Sequence, residues 1–111
     1  MKAQDVLPLT ETSFFILLSL ATTPKHGYAI IKEVEKISAG RVVLAAGTLY
    51  SALRRMLEDG WIERLEDDQW NGDSRERKLD NLTDLGRRIF ELETKRLQRL
   101  VRLTANLNAR Q

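Results

Sequence analysis

The stretch whose reading decides the fold is Ala45-Ala46-Gly47-Thr48-Leu49-Tyr50-Ser51-Ala52-Leu53-Arg54-Arg55-Met56-Leu57-Glu58-Asp59-Gly60-Trp61-Ile62-Glu63-Arg64-Leu65. On a helical wheel Leu49, Leu53, Met56 and Leu57 gather on one side, and Gly47, Thr48, Ser51, Arg54, Arg55 and Glu58 fall opposite. The spacing predicts an amphipathic helix from Ala46 to Asp59, closed by Gly60. Trp61 to Leu65 then has the composition of a strand.

Upstream, Thr10 is a good N-cap for a first helix, with Glu11 in its opening turn. The run Ser13-Phe14-Phe15-Ile16-Leu17-Leu18-Ser19-Leu20-Ala21 is apolar almost all round, so more than one side is to be covered. Thr22-Thr23-Pro24 ends it. A second helix is expected from about His26 to Ala39, with Tyr28, Ile31, Val34 and Ile37 as its apolar face, Ala29 and Ile30 beside them, and Gly40 as its stop. Val42-Val43-Leu44 reads as a minor strand.

Downstream, Asn71-Gly72 is a turn signal, and Arg75 to Leu82 is the returning strand of a hairpin. Thr83 caps a last helix, from Asp84 to about Asn108, roughly 37 Å long at 1.5 Å per residue. Such a helix overhangs its own domain. Its apolar residues Leu97, Leu100, Val101, Leu103 and Leu107 continue to the end, a patch that a soluble monomer rarely tolerates. A homodimer that buries them is the economical expectation, with the first helix offering its second apolar side.

Composition narrows the function. The chain has 111 residues, 18 Lys plus Arg, 16 Asp plus Glu, one His and no Cys. Those numbers exclude a disulfide scaffold, a thiolate zinc site and a cysteine nucleophile. No nucleophile–base pair, phosphate loop or metal-ligand spacing supports an enzyme, and no cofactor is expected. No apolar run approaches the roughly 20 residues of a membrane span, and the expected location is the cytoplasm. The net charge of +2 is small, so nucleic-acid binding has to use local clusters. Residues 84–111 carry 7 basic and 3 acidic side chains, read as a solvated outer face.

The element order is helix, helix, short strand, helix, hairpin, long helix. This is a mainly α chain with a small β-hairpin, the layout of a winged helix-turn-helix (residues 1–83) followed by a C-terminal dimerisation helix (residues 84–111). In that fold the third helix docks in the major groove of double-stranded DNA. Ala45, Ala46, Gly47, Thr48 and Ser51 let the backbone come close. Thr48, Tyr50, Ser51, Arg54 and Arg55 supply phosphate and base-edge contacts. Plainer readings stay open: Arg54 as a solvated charge paired with Glu58, Tyr50 as an aromatic at the core edge, His26 as a structural residue opening its helix.

The stretches His26-Gly27-Tyr28-Ala29-Ile30, Gly47-Thr48-Leu49-Tyr50-Ser51-Ala52-Leu53, Leu57-Glu58-Asp59-Gly60-Trp61-Ile62 and Leu82-Thr83-Asp84-Leu85-Gly86 resemble the PadR family of bacterial transcriptional regulators. The resemblance spans about residues 9 to 107, and the chain is similar to the compact branch with a single C-terminal helix. It implies a sequence-specific regulator, most simply a repressor, that binds a palindromic operator as a homodimer. Thr48, Tyr50 and the polar face after them would meet DNA, and wing residues Arg75, Arg77 and Lys78 would add basic contacts. Phe14, Phe15 and Leu18 would exchange contacts with the partner's C-terminal helix, and a small-molecule effector would act at the dimer interface.

Two departures bear on this. The wing carries Asp67, Asp68, Asp73 and Glu76, which repel phosphates. Drug-sensing relatives stack planar ligands on a Trp of the C-terminal helix, and Leu97 stands at that place here. The rival reading is a winged-helix module that binds protein rather than DNA.

Overall fold

The computed structural model describes residues 2–69 and 78–109, the last two by backbone alone. A 3-10 turn (Ala3–Val6) precedes α1 (Glu11–Leu20), α2 (Gly27–Ile37) and α3 (Ala46–Glu58). Strands β1 (Ile62–Glu66) and β2 (Lys78–Leu82) follow, then α4 (Asp84–Leu103) and the short α5 (Ala105–Ala109). Three helices, a hairpin and a long terminal helix make a winged helix-turn-helix with an appended helix, as the sequence predicts.

Local signals set the boundaries. Thr10 Oγ1 accepts the Ser13 N–H at 3.1 Å, and Thr83 Oγ1 accepts the Gly86 N–H at 3.0 Å, so both threonine caps form. Gly60 (φ 79°) takes the left-handed conformation that stops α3, whereas α2 is stopped by Ala39 (φ 55°), one residue before the expected Gly40 (φ 80°), whose N–H bonds the Glu35 carbonyl at 2.8 Å. The strands pair antiparallel, with Ile62 opposite Leu82 and Glu66 opposite Lys78.

One core joins these elements. Ile16, Leu17 and Leu20 of α1 meet Ile30 and Val34 of α2, Leu49, Leu53 and Met56 of α3, Ile62 and Leu82 of the hairpin, and Ile89 of α4. Gly86 allows α4 to lie against the chain at Trp61: a Cβ there would stand 1.9 Å from the Trp61 carbonyl oxygen.

Three expectations are corrected. Val42-Val43-Leu44 is not a strand; Leu44 is buried as a core plug and the hairpin edge is taken elsewhere. The extra bridge forms at Lys25, whose N–H and C=O pair with Asp80 at 3.1 and 2.9 Å. Second, the apolar face of α2 is Ile30 and Val34, with Tyr28 69% and Ile37 37% exposed. A repeat of three drifts off a 3.6-residue turn, whereas Ile30 and Val34 stay in register. Third, the last helix is interrupted at Thr104. Its hydroxyl donates to the Val101 carbonyl at 2.7 Å, and its N–H bonds the same oxygen at 3.0 Å, tightening the final turn of α4 before α5 begins.

The overhang is real: the molecule is 57 Å along its longest axis and 23 Å along its shortest. The N-terminal segment is tied to α4 by Glu93, only 2% exposed, which accepts the Leu9 N–H at 2.8 Å and pairs with Arg96 at 2.5 Å.

Candidate nucleic-acid interface

Packing of Leu49, Leu53 and Met56 into the core fixes which side of α3 faces outward. That side carries Gly47, Thr48, Tyr50, Ser51, Arg54 and Arg55, all exposed. A Cβ on Gly47 would meet nothing within 4 Å, so the fold itself does not require a glycine there. Arg54 and Arg55 form no ion pair among the described residues, and Glu58 does not engage Arg54. Two cations therefore stand uncompensated on an exposed helix face, available for phosphate or base-edge contact.

The starts of the helices differ in kind. The first and last long helices have threonine caps; α2 and α3 begin at His26 and Ala45 with no side-chain cap. Their first N–H groups have no side-chain cap and carry the positive end of the helix dipole, an arrangement that suits phosphate oxygens. Tyr50 connects the two starts. Its hydroxyl would lie 3.0 Å from a Cβ on Gly27, so the absent side chain of Gly27 makes room for the Tyr50 ring. Tyr28 projects beside them, with the Lys32 ammonium 5.4 Å from its ring centroid. A repeat of three puts Tyr28 on the apolar face, whereas strict 3.6 periodicity anchored on Ile30 and Val34 places it outside.

Of the expected wing cations, Lys78 alone is among the described residues. Lys78 Nζ is paired with Glu66. Arg75 and Arg77 lie outside the described residues, as does the Asn71-Gly72 turn. Asp67 is turned inward to His26, with Nε2 to Oδ2 at 2.8 Å. Beneath the hairpin, burial pushes the Asp80 carboxyl above the usual range, against the pull of Arg64 and His26.

The residues expected at a subunit seam divide into two groups. Phe14, Phe15 and Leu18 are half-buried, and Phe14 stacks on Phe90 with centroids 5.5 Å apart. Leu97 is half-buried, whereas Leu100, Val101, Leu103 and Leu107 are 40, 69, 68 and 64% exposed.

Among the described residues no cluster of His, Cys, Asp or Glu could hold a metal, and no helix is long and apolar enough to cross a membrane.

The geometry is that of a winged-helix protein whose third helix presents an open, polar, cationic face. Residues 16–92 match the transcriptional regulator PadR-like family, and the chain belongs to that family. It is 34% identical over 90 residues to an uncharacterised 37.1 kDa protein in transposon Tn4556 of Streptomyces fradiae, covering 81% of this chain. The chain spans about a quarter of that curated relative's length, 24%. Among solved structures, a PadR family transcription regulator from Clostridium difficile superposes with a TM-score of 0.69 at 23% identity, over 88% of this chain and 98% of the other. Bacillus subtilis PadR in complex with operator DNA superposes with a TM-score of 0.63 at 21% identity, over 74% of this chain and 46% of the other.

Proposed function

We propose that this chain is a sequence-specific DNA-binding regulator, acting as a repressor in the cytoplasm and binding a palindromic operator as a homodimer. The observation that carries this reading is the outward face of α3, where Arg54 and Arg55 stand without ion-pair partners beside a start of small residues. Family membership and the operator complex of the B. subtilis neighbour support it. Residues 1–83 are the DNA-binding unit, and 84–111 the dimerisation helix. Two copies of α3 enter successive major grooves, about one helical turn apart. Gly47, Thr48, Tyr50, Ser51, Arg54 and Arg55 make the α3 contacts, with Arg75, Arg77 and Lys78 on the wing. Phe14, Phe15, Leu18, Leu97, Leu100, Val101, Leu103 and Leu107 form the seam. An effector near that seam would alter the spacing of the two α3 helices and lower DNA affinity.

The test is fluorescence anisotropy of labelled DNA from upstream of this protein's own gene, with random DNA as competitor at two salt concentrations. Tight binding that resists the competitor, and is lost in Arg54→Ala/Arg55→Ala, is the expected result. A second reading, a winged-helix module for a protein partner, is favoured by one observation: the described wing surface is neutralised, with Lys78 held by Glu66 and Asp68 exposed. Promoter binding unchanged by the double substitution defeats the α3 model in favour of that reading.

A further inference from the structure

Val43, on the loop between α2 and α3, is an apolar side chain 67% exposed. The loop is tied on both sides of it. The Val42 N–H donates to Ser38 Oγ at 3.0 Å, and Arg41 pairs with Glu11 of α1 at 2.7 Å. Leu44, the next residue, is buried in the core. β-Branching stiffens Val43 at χ1. A stiff side chain between anchored neighbours is presented at a fixed place, just before the start of α3. Its exposure runs on along the chain into Ala45, Ala46, Gly47 and Thr48, the start of the face assigned above to DNA.

Between Val43 and Gly47 no side chain has a hydrogen-bonding group. Arg54 and Arg55 come about two turns later, so the two ends of α3 meet a partner with different chemistry. In a helix-turn-helix protein the beginning of the recognition helix is the part that reaches base edges. Side chains without a donor or acceptor read nothing from the hydrogen-bonding pattern of the bases. They can read thymine, whose 5-methyl group is the one methyl on the major-groove edge. Covering that methyl also takes the exposed Val43 out of water.

We propose that Val43 is a specificity-determining residue that packs on the 5-methyl group of one thymine in each operator half-site. The proposal rests on the DNA-binding reading above and adds to it the base selected beside the start of α3.

The full chain is first used to select operator sites from a randomised duplex library. Anisotropy titrations then compare a selected duplex with copies in which deoxyuridine replaces thymidine at one position per half-site. That exchange removes the methyl and leaves every hydrogen-bonding group of the base in place. Burial of one methyl corresponds to about four-fold in affinity, so loss from both half-sites is expected to weaken binding about fifteen-fold at the contacted position. In Val43→Ala the thymine and uracil duplexes are expected to bind within about two-fold of each other at that position. Circular dichroism should be unchanged, because the side chain lies outside the core. Should Val43→Ala unfold, Val43→Thr keeps the shape, exchanges one methyl for a hydroxyl, and is expected to lower the discrimination at least about two-fold. A selected operator that tolerates uracil at every position, one with no thymine common to both half-sites, or discrimination that survives in these variants overturns the proposal and leaves the DNA-binding reading standing. A library that yields no enriched sequence overturns that reading, and the proposal with it.

Discussion

His26 Nε2 stands 2.8 Å from Asp67 Oδ2, joining the start of α2 to the hairpin across 41 positions of chain. The other ring nitrogen, Nδ1, lies 3.0 Å from the Lys78 carbonyl oxygen. One imidazole therefore touches both arms of the wing and sets its angle to the helices. An acidic side chain that looks repulsive to phosphate in sequence is spent on this link instead. His26→Ala and Asp67→Asn are each expected to lower stability by about 1 kcal/mol. The pair should be non-additive in a double-mutant cycle read by urea unfolding. Full additivity would show that the contact contributes nothing.

Two glycines should respond in opposite ways to alanine. Gly86→Ala drives a Cβ into the Trp61 carbonyl and is expected to cost more than about 3 kcal/mol, seen as a large fall in the urea midpoint. Gly47→Ala meets open space on an exposed helix turn and should stabilise the fold by up to about 1 kcal/mol. The same substitution should weaken DNA binding, because the added methyl stands where the backbone approaches its partner. Stabilisation with unchanged DNA affinity would remove Gly47 from the interface.

Arg54→Ala and Arg55→Ala should leave folding within about 0.5 kcal/mol, since neither side chain has an ion-pair partner to abandon. Each should weaken operator binding by about 1–3 kcal/mol if it reads a base edge. A residue that meets only phosphate should instead reduce the slope of log affinity against log salt by about one, uniformly across sequences. Anisotropy titrations at several salt concentrations separate the two roles.

Glu93 makes the acid limb of stability testable. The hydrogen bond from Arg96 holds its carboxyl below the usual glutamate range, against the opposing effect of burial, with help from the Leu9 N–H. A lowered folded value means stability present above the unfolded value and lost as pH falls through the folded one. Glu93→Gln should cost about 1–3 kcal/mol at neutral pH, and the gap to the parent should close below about pH 4. Asp80 has the opposite sign: its raised value penalises the charged folded form as pH rises. A gap between parent and Glu93→Gln that stays constant from pH 7 to pH 3 would contradict the assignment.

The exposed leucines and valine of α4 and α5 should behave as a seam. Leu100→Arg/Val101→Arg is expected to convert a dimer into a folded monomer by sedimentation, with operator affinity falling sharply. The core lies elsewhere, so circular dichroism should change little. A variant that stays dimeric would move the seam away from this face.

Much of the molecule is decided by neighbours in the chain. Thr10 and Thr83 cap because a side-chain oxygen three residues before an N–H is in reach whatever surrounds it. Gly60 stops α3 because a glycine backbone adopts a positive φ without penalty, while α2 ends on Ala39 at φ 55°. The stripe of Leu49, Leu53 and Met56 selects the outer face of α3, so the candidate DNA contacts on that helix were legible before any fold was known. Other features depend on which distant surfaces meet. Tyr28 is exposed because Ile30 and Val34 won the contact with α1 and α3. Lys25, not Val42 to Leu44, supplies the extra bridge because Asp80 lies beside it only once the hairpin has docked. The His26–Asp67 link and the burial of Glu93 arise from residues brought together by chain that is far apart in sequence. Period and propensity determine elements; only the packing of one element on another decides which charges are paired and which are left for a partner.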